Sequence, residues 1–207
     1  MSWEKWLREK RYTLFKTAVI QEQYIQCIMD HIPAGGSLLD CGIGTGVTLE
    51  LLRDSLYDAW GIDIEPLAIE LATQRFPHLK DRVKLGDLFD ESSYDKHYDA
   101  IIHQGVAEHF SDEDMVRLFT LQKEHCNKII FDVPNSLREN QEDEGDYTRF
   151  ESPEFWEDIL TQSGLKFERY GRNLDKQNNL ICDDLKRYDS PLMKSLGRTS
   201  IFVCTKK

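Results

Sequence analysis

The chain has 207 residues, of which 40% are hydrophobic, and a formal net charge of −11. This length suits one domain with a substantial core, and the hydrophobic fraction excludes a disordered protein. The negative charge argues against nucleic acid as a partner, because a non-specific grip on phosphates needs a basic surface.

Neither a membrane span nor a secretory signal is visible in the sequence. No apolar run reaches the length of a span, and residues 1–6 lack the apolar core of a signal peptide. The five cysteines are scattered without a C-x-x-C pair, which is typical of ordinary thiols in a reducing compartment. We therefore expect a cytoplasmic protein without a membrane partner. The sequence leaves the oligomeric state open.

Residues 37–46 have the pattern of a short buried strand that runs into a glycine-rich turn. Three glycines stand at every second position: Gly42, Gly44 and Gly46. The first two allow a tight turn and a close backbone approach that a Cβ would block. Gly46 is expected to let the following helix, predicted over 47–53, sit close to the strand. The first amides of that helix can receive an anionic group, so the pattern indicates a cradle for a nucleotide-type cofactor.

The spacing of the glycines distinguishes between cofactors. The dinucleotide fingerprint is G-x-G-x-x-G and closes on a pyrophosphate, whereas this turn is G-x-G-x-G, with Val47 where the third glycine would stand. Asp40, just before the turn, would repel a pyrophosphate. A carboxylate there suits a cofactor with a cationic centre and an amino acid tail, and S-adenosylmethionine has both. The spacing therefore disfavours a nicotinamide dehydrogenase.

The next segments alternate between strand and helix. Residues 59–64 form a second apolar strand, and its Asp63 lies about 20 residues beyond the first turn glycine, the separation expected of a ribose-binding acid. A helix over 65–76 follows, and residues 82–88 form a third strand that ends Gly-Asp-Leu. Residues 98–110 contain a fourth strand and the turn after it.

The second half of the chain continues the alternation. The predicted elements are a helix over 112–126 with Ser111 as N-cap, a strand over 127–133, a helix over 152–163 capped by Ser152, and strands over 165–172 and 200–205. This order predicts an α/β fold, a mostly parallel sheet with helices on both faces.

Four motifs in this order, residues 40–46, 59–64, 82–88 and 98–110, resemble those of class I S-adenosylmethionine-dependent methyltransferases. The resemblance implies a three-layer Rossmann-like fold with seven strands, of which the last is antiparallel. It implies S-adenosylmethionine as cofactor. The implied contacts are Asp40, Gly42, Gly44, Thr45 and Gly46 at the methionine end, Asp63 at the ribose, Ile64, Asp87 and Leu88 at the adenine, and Gln104 after the fourth strand.

We expect one methyltransferase domain over 1–207 with two additions to the common core. Residues 1–32 form a helical segment that can pack on the sheet, serve as a lid over the cofactor, or both. We favour the lid, with Tyr12 and Lys16 as its contacts to cofactor or substrate. Residues 174–197 form an insert between the last two strands that shapes a substrate pocket or an oligomer contact. The sequence does not decide between these two roles.

The turn Glu108-His109 is the candidate catalytic pair. His109 is either a general base or a residue hydrogen-bonded to backbone, and Glu108 either orients it or caps the next helix. Similar small-RNA 2′-O-methyltransferases bind a metal through E-x-x-E-H and a later histidine. Here Gly105 takes the first glutamate position and residues 142–150 contain no histidine. Two ligands are too few for a catalytic metal, so we expect none.

Substrate residues are expected after the fifth strand and in the lid. The candidates are Tyr12, Asn135, Tyr147 and Arg149. The acidic run 139–146 is either a solvated loop or a mouth that attracts a cationic acceptor. We expect methyl transfer to oxygen or nitrogen of a small molecule. The alternatives are methylation of a protein or RNA, or a non-catalytic subunit that binds the cofactor.

Overall fold

The computed structural model describes residues 5, 7, 14–134, 148–170 and 199–207. Their seven strands form one sheet in the order β3-β2-β1-β4-β5-β7-β6. The strands are β1 Ser37–Cys41, β2 Asp58–Asp63, β3 Val83–Leu85, β4 Tyr98–Gln104, β5 Cys126–Pro134, β6 Leu165–Tyr170 and β7 Thr199–Lys206. β7 runs antiparallel to its neighbours β5 and β6, and the strands from β3 to β5 are paired in parallel. The predicted Rossmann-like fold is confirmed.

Helices cover both faces of this sheet. They are α1 Leu14–Ile20, α2 Glu22–His31, α3 Val47–Leu51, α4 Pro66–Arg75, α5 Asp112–Gln122 and α6 Pro153–Gln162. Short 3-10 turns lie at Arg53–Ser55, Pro77–Leu79, Glu91–Ser93 and Ala107–His109. α5 and α6 pack on one face, while α2, α3 and α4 pack on the other.

The central strands are apolar on both sides, as parallel strands between two helix layers must be. On the α2 side, Leu38, Ile102 and Ile130 pack in one cluster with Tyr24 and Ile28. The alternate residues face α5 and α6 in a cluster that contains Leu39, Ile101, Ile129, Met115, Phe119 and Trp156. Because side chains alternate along a strand, the same alternation decides which polar residues at the strand ends share a face.

Local signals set the starts of the later helices as predicted. The Ser111 hydroxyl accepts a hydrogen bond from the Asp114 amide at 3.2 Å and caps α5. The Ser152 hydroxyl accepts from the Phe155 amide at 3.3 Å and caps α6. Gly164 follows α6 with a left-handed φ of 73°. Such caps satisfy amides that have no partner inside the helix.

Three predicted elements were too long. The helix predicted over 112–126 ends at Gln122, because Cys126 already pairs with Tyr98 as the first residue of β5. The helix predicted over 47–53 ends at Leu51, where the chain tightens into the 3-10 turn Arg53–Ser55. The third strand ends at Leu85 rather than Leu88, and the chain then turns at Asp87.

The structure describes part of one predicted addition to the core and none of the other. Residues 174–197 lie outside the described residues. Within 1–32, α2 is a layer of the core, since Tyr24, Cys27 and Ile28 are buried against the sheet. A lid role for the residues before α2 stays a prediction. Within the described ranges, the structure contains no helix with the length and apolar character needed to cross a membrane.

Candidate cofactor site and active site

The glycine turn between β1 and α3 holds all three of its glycines in the left-handed region. Their φ angles are 78° at Gly42, 51° at Gly44 and 74° at Gly46. A Cβ on Gly42 would lie 2.7 Å from Cγ2 of Val106, and one on Gly46 would lie 3.1 Å from Cβ of Ala72. A Cβ on Gly44 would meet no atom of the described residues within 4 Å. Gly46 therefore makes room for α4, not for β1 as predicted, while Gly44 leaves space that a ligand can fill.

Asp63, at the end of β2, fastens the turn. One carboxylate oxygen accepts from the Gly44 amide at 2.9 Å and the other from the Glu65 amide at 2.9 Å. Burial raises the pKa of Asp63, and these amides oppose the rise. Each carboxylate oxygen can accept a second hydrogen bond, so the geometry is compatible with ribose hydroxyls. The neighbouring Ile64 is 61% exposed, as an apolar platform for a flat ring would be.

Asp40 is the most unusual group at this edge of the sheet. The residue is 3% exposed, and its Oδ2 atom has no hydrogen-bond partner among the described residues. Burial raises the pKa of Asp40 to about 8, and the nearby Asp63 carboxylate adds to the rise. A buried acceptor without a donor is costly, which is the condition that a cationic ligand relieves.

Gln104 ends β4 and joins three elements through its side-chain amide. Its Nε2 donates to Oδ2 of Asp132 at 2.9 Å, and its Oε1 accepts from Nε2 of Gln21, between α1 and α2. Asp132 is 4% exposed, and burial raises its pKa to about 7 against the effect of the Gln104 bond. Sequence reasoning missed both Gln21 and Asp132. A signal existed for Asp132, because it is an acid inside the apolar strand β5.

The predicted adenine contacts lie in the turn after β3. Asp87 is exposed, and its Oδ1 accepts from the Phe89 amide at 2.9 Å. Leu88 is buried, and its carbonyl accepts from the Tyr94 hydroxyl at 2.6 Å. Thr45 lies in the glycine turn, with its hydroxyl 3.5 Å from Nη1 of Arg75.

The turn after β4 brings together three predicted site residues. Glu108 is buried at 4% exposure and His109 is half-buried, both in the 3-10 turn Ala107–His109. The carbonyl of Glu108 accepts from the Arg149 amide at 3.1 Å. The Arg149 guanidinium pairs with Asp112 and stacks on Phe155, 4.9 Å from the ring centroid. Tyr12, Asn135 and Tyr147 lie outside the described residues.

Two buried side chains near the site, a histidine and a cysteine, have no access to a ligand. His103 is fully buried between Phe119 and Phe131, and burial lowers its pKa to about 3, so the ring is neutral and structural. Cys41 is also fully buried, and burial raises its pKa. Within the part of the chain that the structure describes, no group of three or more His, Cys, Asp and Glu side chains is placed to hold a metal ion.

The chain resembles known methyltransferases in part of its sequence and in its fold. Residues 38–128 match the family model described as a methyltransferase domain, and no curated protein sequence matches the chain. A solved S-adenosylmethionine-dependent methyltransferase from Archaeoglobus fulgidus is 18% identical over 100% of both chains, with a TM-score of 0.68.

Two further solved structures share the fold. A chain in the complex between the Haloferax volcanii Trm112 methyltransferase activator and a putative methyltransferase is 12% identical, covering 99% of this chain and 97% of that one, with a TM-score of 0.67. Magnesium protoporphyrin IX methyltransferase from Synechocystis PCC 6803, with bound S-adenosylmethionine, is 14% identical over 99% and 90%, with a TM-score of 0.62.

Proposed function

We propose that this chain is a class I S-adenosylmethionine-dependent methyltransferase that transfers a methyl group to an oxygen or nitrogen atom of a small-molecule acceptor. The observation that carries the cofactor half of this statement is the buried Oδ2 atom of Asp40, which has no partner among the described residues, beside a turn left open at Gly44. A dinucleotide would bring phosphates to the same carboxylate.

The residues present fit this cofactor at each of its parts. Asp40 and Gln104 provide acceptor oxygens for its cationic end. Asp63 keeps acceptor capacity for the ribose hydroxyls, and Ile64 offers an exposed apolar surface to the adenine beside Asp87 and Leu88. When bound, S-adenosylmethionine supplies a methyl group attached to a positively charged sulfur. The thioether that remains after transfer is a good leaving group.

The acceptor chemistry rests on the turn after β4. A hydroxyl acceptor must lose a proton, and a histidine can take one near neutral pH. We assign this task to His109, with Glu108 beside it. The backbone amide of Arg149 donates a hydrogen bond to the Glu108 carbonyl at this turn, and we propose Arg149 as a substrate residue together with Tyr12, Asn135 and Tyr147. The net charge of −11 supports a small molecule over RNA, since it offers no general basic surface.

Methylation of a protein or RNA with the help of a partner is the second candidate. Its support is the structural neighbour found in a complex with a methyltransferase activator. A non-catalytic subunit is a third candidate, against which the retained Asp40, glycine turn and Asp63 count. We also propose a cytoplasmic location, because the described cysteines are all free thiols.

The test separates acceptors by size. Purified protein is incubated with methyl-labelled S-adenosylmethionine and a cell extract divided into small-molecule, protein and RNA fractions. We expect label in the small-molecule fraction, and its loss with the His109→Ala variant but not with His97→Ala, an exposed histidine on the loop before β4. Label confined to protein or RNA would overturn the small-molecule proposal.

A further inference from the structure

Two buried acceptor oxygens face the cofactor end of the sheet from different parts of the chain. Oε1 of Gln21 and Oδ2 of Asp40 are both shielded from solvent, and neither has a hydrogen-bond partner among the described residues. A third acceptor, Oε1 of Gln104, already contacts the Gln21 side chain. Orphaned acceptors of this kind need a donor that the described residues do not supply.

The register explains why these groups share one face. Asp40 follows Leu38 by two residues in β1, and Gln104 follows Ile102 by two in β4. Leu38 and Ile102 both pack in the cluster that contains Tyr24 of α2, so Asp40 and Gln104 are on the α2 side of adjacent strand ends. Gln21 precedes Tyr24 by one helical turn, which places it over the same edge.

Asp132 fixes the orientation of the Gln104 amide. A carboxylate only accepts hydrogen bonds, so the NH2 group of Gln104 faces Asp132 at 2.9 Å. The carbonyl oxygen of Gln104 is therefore turned the other way, toward Gln21. Neither Asp40 nor Asp132 forms an ion pair with a basic side chain of the described ranges.

We propose that Gln21 is a cofactor-binding residue, which together with Asp40 and Gln104 receives the ammonium group of the cofactor's amino acid end, and that Asp132 is the positioning residue for Gln104. An ammonium group has three donors and no acceptor, so it matches three acceptor oxygens. This inference rests on the S-adenosylmethionine site of the proposed function and is independent of the acceptor. It gives the junction of α1 and α2 a role in cofactor binding.

The test compares two ligands that differ in the amino acid group. S-adenosylhomocysteine carries the ammonium, while 5′-methylthioadenosine lacks the whole amino acid end. By calorimetry, we expect Gln21→Ala to weaken S-adenosylhomocysteine about tenfold or more, as for a hydrogen bond to a charged group, and to leave 5′-methylthioadenosine unchanged. Gln21→Met, which keeps the side-chain length, should do the same, and Asp132→Asn should follow the pattern more weakly.

Gln26 provides the matched control, because it lies on α2 and bonds to Asp30 at 2.7 Å. Gln26→Ala should bind both ligands as the wild type does. If the Gln21 variants weaken both ligands equally, or neither, the proposal is overturned and Gln21 is structural. If the wild type binds neither ligand, the cofactor site itself is wrong, which is a separate failure.

Discussion

The glycine turn allows a sharp comparison, because Gly44 and Gly46 both have a left-handed φ but have different surroundings. An alanine at either position pays for a left-handed conformation, about 1–2 kcal/mol of the free energy of unfolding. At Gly44 the added Cβ brings no further cost, since no atom within the described ranges lies within 4 Å of it. At Gly46 the Cβ meets Leu79 at 3.0 Å and Ala72 at 3.1 Å, which adds about 1–3 kcal/mol of overpacking.

The two variants should therefore separate stability from binding. Denaturant unfolding should show Gly46→Ala as the less stable variant, by about 1–3 kcal/mol. Calorimetry should show Gly44→Ala with S-adenosylmethionine affinity reduced about tenfold or more, because its methyl group fills the space left for the ligand. The reasoning is refuted if Gly44→Ala is the less stable of the two, or if it binds the cofactor as tightly as the wild type.

Asp40, Asp63 and His103 give the remaining predictions. Burial raises the pKa of Asp40 from 3.8 to about 8, so the free folded protein holds a proton that the unfolded chain loses, and its stability should fall as pH rises from about 4 to 8. Cofactor binding should then release protons at pH 7, which calorimetry in buffers of different ionisation enthalpy measures; proton uptake would contradict this. Asp63→Ala should weaken cofactor binding by about 1.5–3 kcal/mol, measured by the same titration, and unchanged affinity would mean that Asp63 is misassigned. The His103 imidazole, with its pKa lowered to about 3, should show no titration by NMR between pH 5 and 8, and a midpoint near 6.5 would show that its ring is not buried.

Most of the fold could be predicted because its signals are local. Ser111 and Ser152 cap helices by bonding to amides three residues on, and the strands are visible as apolar runs. The end of α5 could not be placed in this way, since Cys126 leaves the helical pattern only by pairing with Tyr98. The role of Gly46 likewise depends on α4, an element that approaches it only in the folded chain.

The site also combines residues with local sequence signals and residues that meet only in the folded chain. Asp40 and the turn glycines are adjacent in sequence, and Asp63 follows at a recognisable separation. Gln21, by contrast, reaches Gln104 across 83 residues and Asp132 reaches it across 28. No spacing rule links these three side chains, because their contact depends on the register of β4 and β5 and on where α2 packs. The role of Arg149 as a substrate residue stays a prediction. Its ion pair with Asp112 was not predictable from the sequence, because the two residues meet only in the folded chain.

The central claim is that the carboxylate at the end of β1 and the open glycine turn bind S-adenosylmethionine. The most direct measurement is a calorimetric titration of the purified chain with S-adenosylmethionine and, separately, with nicotinamide adenine dinucleotide. We expect saturable binding of the first and none of the second. Absence of S-adenosylmethionine binding, or preference for the dinucleotide, would contradict the account.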